Sequence, residues 1–119
     1  MILVDTSIWI HHFRESNATL CHLLLSGHAY THPLILGELR CGNLPKRKQT
    51  LLDLGALPQA KHSLNDEVNE LIETHQLMGK GIGYIDAHLL ASCLISELSL
   101  WTRDKHLLQI AHTLHCAYN

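Results

Sequence analysis

No two cysteines lie close together in this chain: Cys21, Cys41, Cys93 and Cys116 are scattered, without a C-x-x-C pair. Nothing therefore suggests a disulfide framework, and the four are expected as reduced, mostly buried small hydrophobes. No H-E-x-x-H occurs, which removes the usual helical zinc-hydrolase motif. No apolar run reaches the roughly 18 residues of a membrane span. The longest, Leu89 to Trp101, is broken by Glu97. The opening MILVDTSIWI carries Asp5 in its middle and has no basic flank, unlike a secretory leader, so a cytoplasmic protein without membrane contact is expected. A basic excess is also missing. The formal net charge is −2, so nucleic acid is not held by bulk charge, and any such contact must be local or cation-assisted.

What is present suits one folded unit. The 119 residues are 46% hydrophobic and 17% charged, and a chain of this size buries about two-thirds of its unfolded surface. No repeat, low-complexity tract or linker divides it, so residues 1–119 are expected as a single domain. The eleven histidines form no i,i+4 ligand pair among those closest in sequence, and are expected mostly as surface or half-buried fillers.

The apolar run Met1 to Val4 fits a strand buried on both faces. Asp5 sits at its carboxyl end, and Thr6 or Ser7 can cap a short helix through His12. Ser16 or Asn17 can start a second helix, with Leu20, Leu23 and Leu24 on one face and Gly27 as its stop. A short strand is expected over Ala29 to His32, then a helix from Pro33 to Arg40 that carries Glu38. Pro45 opens a basic helical stretch closed by Gly55, and Ala56 to Pro58 fits a weak strand. Ser63 or Asn65 begins a further helix running toward Gly79, and GKGIG reads as a flexible joint. From Tyr84 to Glu97 a broad apolar face predicts a largely buried helix with Asp86 in its first turn. A strand over Leu98 to Thr102 follows, then Asp104, a helix from Lys105 to about His115 and a short terminal strand. Strands separated by helices imply right-handed crossovers, hence an α/β fold with a central parallel sheet covered by helices on both faces.

In such a sheet the ligand crevice lies outside the carboxyl ends of the strands. Asp5 and Asp104 belong there by position, and Asp86 and Glu38 can converge on the same crevice. Two unit charges about 4 Å apart repel by roughly 4 kcal/mol at an effective dielectric of 20. Something must offset that repulsion. A divalent cation does, and an oxygen-only ligand set points to Mg²⁺ or Mn²⁺ rather than zinc. Such a cation suits phosphodiester hydrolysis, because it activates water and neutralises phosphate charge. Each acid also has a plainer reading: Asp5 as a helix cap, Asp86 as a residue favoured at a helix N-terminus, Asp104 as a turn residue, Glu38 as an exposed helix residue. Jointly the plain readings are weaker, since Asp5 interrupts an apolar run and Asp86 is flanked by residues that must be buried.

The segments MILVDTSIWI, LGEL around Glu38, GYIDAHLLA around Asp86 and WTRDKH around Asp104 resemble the PIN-domain ribonucleases, and more narrowly the VapC-type toxins of VapBC toxin-antitoxin pairs. The likeness runs along essentially the whole chain in the expected order. It implies a PIN-like three-layer fold, an endoribonuclease acting on RNA, a Mg²⁺ or Mn²⁺ site, a homodimer, and a VapB-like antitoxin that holds the enzyme inactive. Carried over residue by residue, Asp5, Glu38, Asp86 and Asp104 match the family's catalytic acids, with Asp5, Asp86 and Asp104 as metal ligands. Thr6, Ser7 and Thr102 match its supporting hydroxyls. The stretch between Glu38 and Asp86 is the least motif-like.

Among the remaining residues, Lys46, Arg47, Lys48, Lys80 and Lys105 read as solvated charges, the Lys46-Arg47-Lys48 cluster having RNA phosphate as its alternative. Arg40 and Arg103 are the candidates for RNA or antitoxin contact. Trp9 and Trp101 fit a core or a dimer interface better than base stacking, and His88 is expected to be packed. A haloacid dehalogenase-like phosphatase would want a second Asp two residues after Asp5, where Ser7 stands. The other alternative is a catalytically silent PIN-like interaction or regulatory module.

Overall fold

The computed structural model describes all residues, 1–119. Strand β1 (Ile2–Val4) is buried along its whole length. Its Ile-Leu-Val sequence suits a central strand covered on both faces. It is followed by α1 (Thr6–Arg14), α2 (Ala18–Leu25), β2 (Ala29–Tyr30), α3 (Pro33–Arg40), α4 (Arg47–Gly55), α5 (Asn65–Thr74), α6 (Tyr84–Ser96), β3 (Ser99–Trp101) and α7 (Lys105–Thr113).

The sheet order is β2-β1-β3. Both pairings are parallel, with Ile2 opposite Ala29 on one side and Ser99 on the other. Single parallel bridges extend each edge, Thr31 to Gln59 and Leu100 to Ala117. The β1-to-β2 and β2-to-β3 connections run in opposite directions across the sheet. Helix α3 packs on α1 and α4, and α5 packs on α6, which lies against β3. The α/β architecture expected from the sequence is the one observed.

Leu3, Val4, Leu20, Ile35, Leu39, Leu89, Leu90, Leu100 and Leu107 anchor one continuous hydrophobic cluster around the sheet. Helix α6 is its largest buried wall, with every residue from Ala87 to Cys93 buried. Burial pushes the Cys93 thiol well above its ordinary range, with Cys116 adding to the effect, and all four cysteines are free. Trp9 belongs to this core. Trp101 instead packs against Tyr118, ring centroids 5.4 Å apart.

Local signals set most boundaries. The Asn17 side chain accepts from Leu20 N–H at the start of α2, and Gly27 takes φ +75° just beyond its end, as a stop signal does. Two expectations shift. Ala56 to Pro58 forms no strand, because Ala56 N–H and Leu57 N–H close the last turn of α4; the chain meets the sheet as a single bridge at Gln59, with the Pro58 carbonyl accepting from Thr31 N–H. Pro45 does not open α4, since Lys46 adopts φ +45° and helical geometry begins at Arg47. Arg47 is exposed, and its guanidinium donates to the carbonyls of Arg40 and Gly42, 2.6 and 2.8 Å away, and so caps the end of α3. The GKGIG segment is exposed except at Ile82, with Gly79 and Gly81 at positive φ, and a Cβ at Gly81 would stand only 2.9 Å from the His106 ring.

One feature of α6 was not visible as a pattern of apolar residues. His88, Ser92 and Ser96, spaced by four, form a polar stripe along the buried helix. His88 bonds Asn65, Ser92 bonds His32, and Ser96 accepts from Lys61 N–H. The stripe pins the segment between α4 and α5 to α6. His32 is fully buried, and its Nδ1 accepts from Leu34 N–H at the start of α3. Nε2 therefore carries the proton and donates to Ser92 Oγ, 3.0 Å away. Burial, with His62 and His88 adding, pushes His32 down to about 4, so it stays neutral near pH 7. Replacing Ser92 by Ala is expected to leave the His32 N–H buried and unpartnered and to cost about 1–3 kcal/mol, read from the midpoint of urea unfolding; an unchanged midpoint would show that the pin contributes nothing.

Candidate active site

The carboxyl ends of β1 and β3 meet at Asp5. Its backbone N–H donates to the Trp101 carbonyl, 3.0 Å away, and the side chain is buried. Asp5 holds the position before α1 but caps nothing with its side chain, so the plain helix-cap reading fails. Oδ2 instead accepts from Ser7 Oγ and from Thr102 Oγ1, each at 2.7 Å. These two hydroxyls fix the carboxylate. Neither bond uses Oδ1.

The other acids are held by equally local means. Thr6 Oγ1 donates to Glu38 Oε1 at 2.7 Å, tying α3 to the start of α1. Asp86 Oδ2 accepts from Gly83 N–H at 3.2 Å, closing the first turn of α6 as an acidic N3 residue does. Asp104 Oδ1 accepts from His106 N–H and Leu107 N–H at 2.9 and 3.1 Å, capping α7. Thr102 links two acids, because its hydroxyl donates to Asp5 and accepts from Asp104 N–H at 3.1 Å. Ser7 Oγ also accepts from Arg103 N–H. Thr6, Ser7 and Thr102 thus all stand where hydroxyls beside the acids were expected. The Gly83 N–H was not anticipated as a partner, although the G-x-x-D spacing of Gly83 and Asp86 is a readable capping signal.

Asp86 senses the other three acids. The Asp86 carboxyl is raised above its ordinary value by burial first, against the Gly83 hydrogen bond that lowers it, and then by the charges of Asp5, Asp104 and Glu38. No three His, Cys, Asp or Glu side chains close on one point as a ready-made cage. The arrangement is an open crevice in which each carboxylate has one oxygen bonded to the protein and one left over. An all-oxygen set with uncompensated negative charge fits a hard divalent cation better than a soft one.

Arg40 and Arg103 are exposed, and neither enters an ion pair, the single one in the protein joining His11 to Glu15. A groove of about 600 Å³ runs beside the site, bordered by Ile10, Phe13, Arg14, Leu39 and Leu44 and reaching Glu38. It touches none of the other three acids.

The PIN domain family model matches residues 2–113. Among curated proteins, the chain is 44% identical over 108 residues to Ribonuclease VapC32 of Mycobacterium tuberculosis, in two strains, covering 90% of this chain and 87% of that protein. Among solved structures, FitAcB from Neisseria gonorrhoeae superposes with a TM-score of 0.63 at 21% identity, covering 94% of both chains. PAE2754 from Pyrobaculum aerophilum gives 0.62 at 19% identity, covering 95% of this chain and 85% of that one. At those identities the two structures speak to the fold alone.

The charge balance of the crevice gives a direct test. Because the Asp86 carboxyl is raised on folding, the folded state binds its proton more tightly than the unfolded chain. Stability is therefore lost as pH rises from the unfolded carboxylate value through the raised folded one. In chelator, Asp86→Asn is expected to unfold at higher urea than the parent at pH 7 and to lose that advantage below the normal carboxylate range. An advantage that persists at low pH would mean that charge is not its origin.

Proposed function

The chain belongs to the PIN-domain family, and from that premise we propose that it is a VapC-type endoribonuclease, a metal-dependent toxin that hydrolyses RNA phosphodiester bonds. The observation that carries the reading is Asp5, held buried by Ser7 and Thr102 at the strand ends, with the charges of Asp5, Asp104 and Glu38 converging on Asp86. RNA as the substrate is supported by the ribonuclease relative.

Asp5, Asp86 and Asp104 would hold Mg²⁺ or Mn²⁺ through the oxygens their hydrogen bonds leave over. When bound, such an ion supplies charge neutralisation at the scissile phosphate and lowers the pKa of water. The protein's own part is positioning. Ser7 and Thr102 fix Asp5, Gly83 N–H fixes Asp86, and the α7 N-terminus fixes Asp104, so little reorganisation is needed on binding. Glu38, anchored through Oε1 by Thr6, is left to accept a proton at Oε2. Exposed Arg103, beside Asp104, is placed to meet backbone phosphate, a contact that positions RNA without reading its sequence.

The same uncompensated charge is what a cationic side chain of an inhibitor would neutralise. A VapB-like antitoxin is the partner this reading names, with Arg40, Arg103 and the groove beside Glu38 as the surfaces within its reach. Self-association belongs to the reading as well, supported by Leu94 and Ile95, each about 40% exposed near the end of α6. No helix is long and apolar enough to cross a membrane.

Asp5→Asn keeps the size of the side chain and removes the charge that binds metal. The expected result is at least a ~100-fold loss of cleavage, as for loss of one electrostatic stabiliser, with unchanged circular dichroism. Cleavage by the parent should require Mg²⁺ or Mn²⁺ and stop in chelator. A fully active Asp5→Asn protein would sink the assignment; metal binding without cleavage of any cellular RNA would favour the silent interaction module.

A further inference from the structure

Beyond Asp86, α6 carries a group that the carboxylate crevice does not use. His88 is 3% exposed, and its Nε2 lies 2.9 Å from Asn65 Oδ1. An amide oxygen only accepts, so Nε2 carries the proton and Nδ1 presents a lone pair. That Nδ1 is buried and has no partner. Such an orphan acceptor is unfavourable and calls for a ligand or a physical reason.

His62 packs edge-on against the His88 ring, centroids 5.3 Å apart at 70°. It is exposed, so one member of the pair meets solvent while the His88 Nδ1 lies beneath the surface. Next to it, Ser63 Oγ is also buried without a partner. Two imidazoles on one tetrahedral ion have ring centres about 5 Å apart, because each nitrogen stands about 2.0–2.1 Å from the metal. The observed centroid spacing of 5.3 Å is close to that value. The Asn65 bond supplies the other half of the pattern, since a ligating imidazole usually donates its far N–H to an oxygen acceptor, which fixes its tautomer. His32 packs against His62 on the other side, centroids 5.0 Å apart, but both its nitrogens are committed to Leu34 and Ser92. It is a wall of the site rather than a ligand.

We propose that His62 and His88 form a second metal site, for a borderline divalent cation such as Zn²⁺, with His88 Nδ1 and a ring nitrogen of His62 as protein ligands and water completing the shell. Imidazole donors favour such ions over Mg²⁺, so the site is chemically separate from the acidic crevice and independent of the nuclease reading. An ion there fastens the segment between α4 and α5 to the helix that carries Asp86.

The test is a Zn²⁺ titration of the ¹⁵N-labelled full chain, followed by long-range imidazole ¹H–¹⁵N spectra. His88 Nδ1 and one His62 nitrogen are expected to shift at the lowest Zn²⁺ additions while the His88 Nε2 proton is retained. His62→Ala, at an exposed position that leaves the fold intact, is expected to weaken Zn²⁺ binding at His88 at least about tenfold and to leave Mg²⁺ binding unchanged. His112→Ala should change neither. A His88 Nδ1 signal that does not move, moves only after other histidines, or responds equally in His62→Ala would overturn the proposal.

Discussion

The hydrogen bond from Thr102 to Asp5 joins the ends of β1 and β3 across 97 residues of chain, and the crevice depends on it. A parallel sheet brings strand ends together but does not aim their side chains. Thr102 does so for two acids at once, donating to Asp5 and accepting from Asp104 N–H. A charged carboxylate buried at 6% exposure is costly unless hydrogen-bonded. The two hydroxyls on Asp5 Oδ2 supply that solvation and leave Oδ1 uncommitted. Stability and chemistry thus draw on the two oxygens of one carboxylate separately.

The same division recurs at the other acids. Glu38, Asp86 and Asp104 each use one oxygen to secure an element, through Thr6, Gly83 and the α7 N-terminus respectively. The plain readings of Asp86 and Asp104 as helix-terminal residues and the functional reading are therefore not rivals. Capping sets where these carboxylates stand, and the mutual repulsion felt at Asp86 comes from standing there together.

Much of this was legible because the information is local. Strand β1, helix α6 and the positions of Asp5 and Asp86 follow from apolar patterning and from the residues that interrupt it. Small corrections arose where backbone conformation overrode a familiar signal. Pro45 was expected to begin α4, but left-handed Lys46 delays it to Arg47, and Arg47 turns back to cap α3. Ala56 to Pro58 was expected as a weak strand, but Ala56 and Leu57 were claimed by the end of α4. What sequence could not show was the polar stripe of His88, Ser92 and Ser96, because its partners His32, Lys61 and Asn65 lie 23 to 60 residues away. Histidines expected as fillers turn out to include one, His32, that caps α3 and anchors α6 at once.

Charge distribution ties these parts together. A net charge of −2 works against RNA at a distance, and the crevice adds four carboxylates of its own, Asp5, Glu38, Asp86 and Asp104. On the proposed reading, a cation there changes the sign of the local interaction, since the ion's own charge dominates a site of this size. The exposed guanidinium of Arg103 then acts beside a neutralised crevice rather than against an acidic one. Long-range attraction is accordingly weak and short-range attraction conditional on the ion. On that reading, a chain built this way would bind RNA poorly when its carboxylates are bare or when a partner's cation occupies their place, and control of the ion would also be control of the substrate.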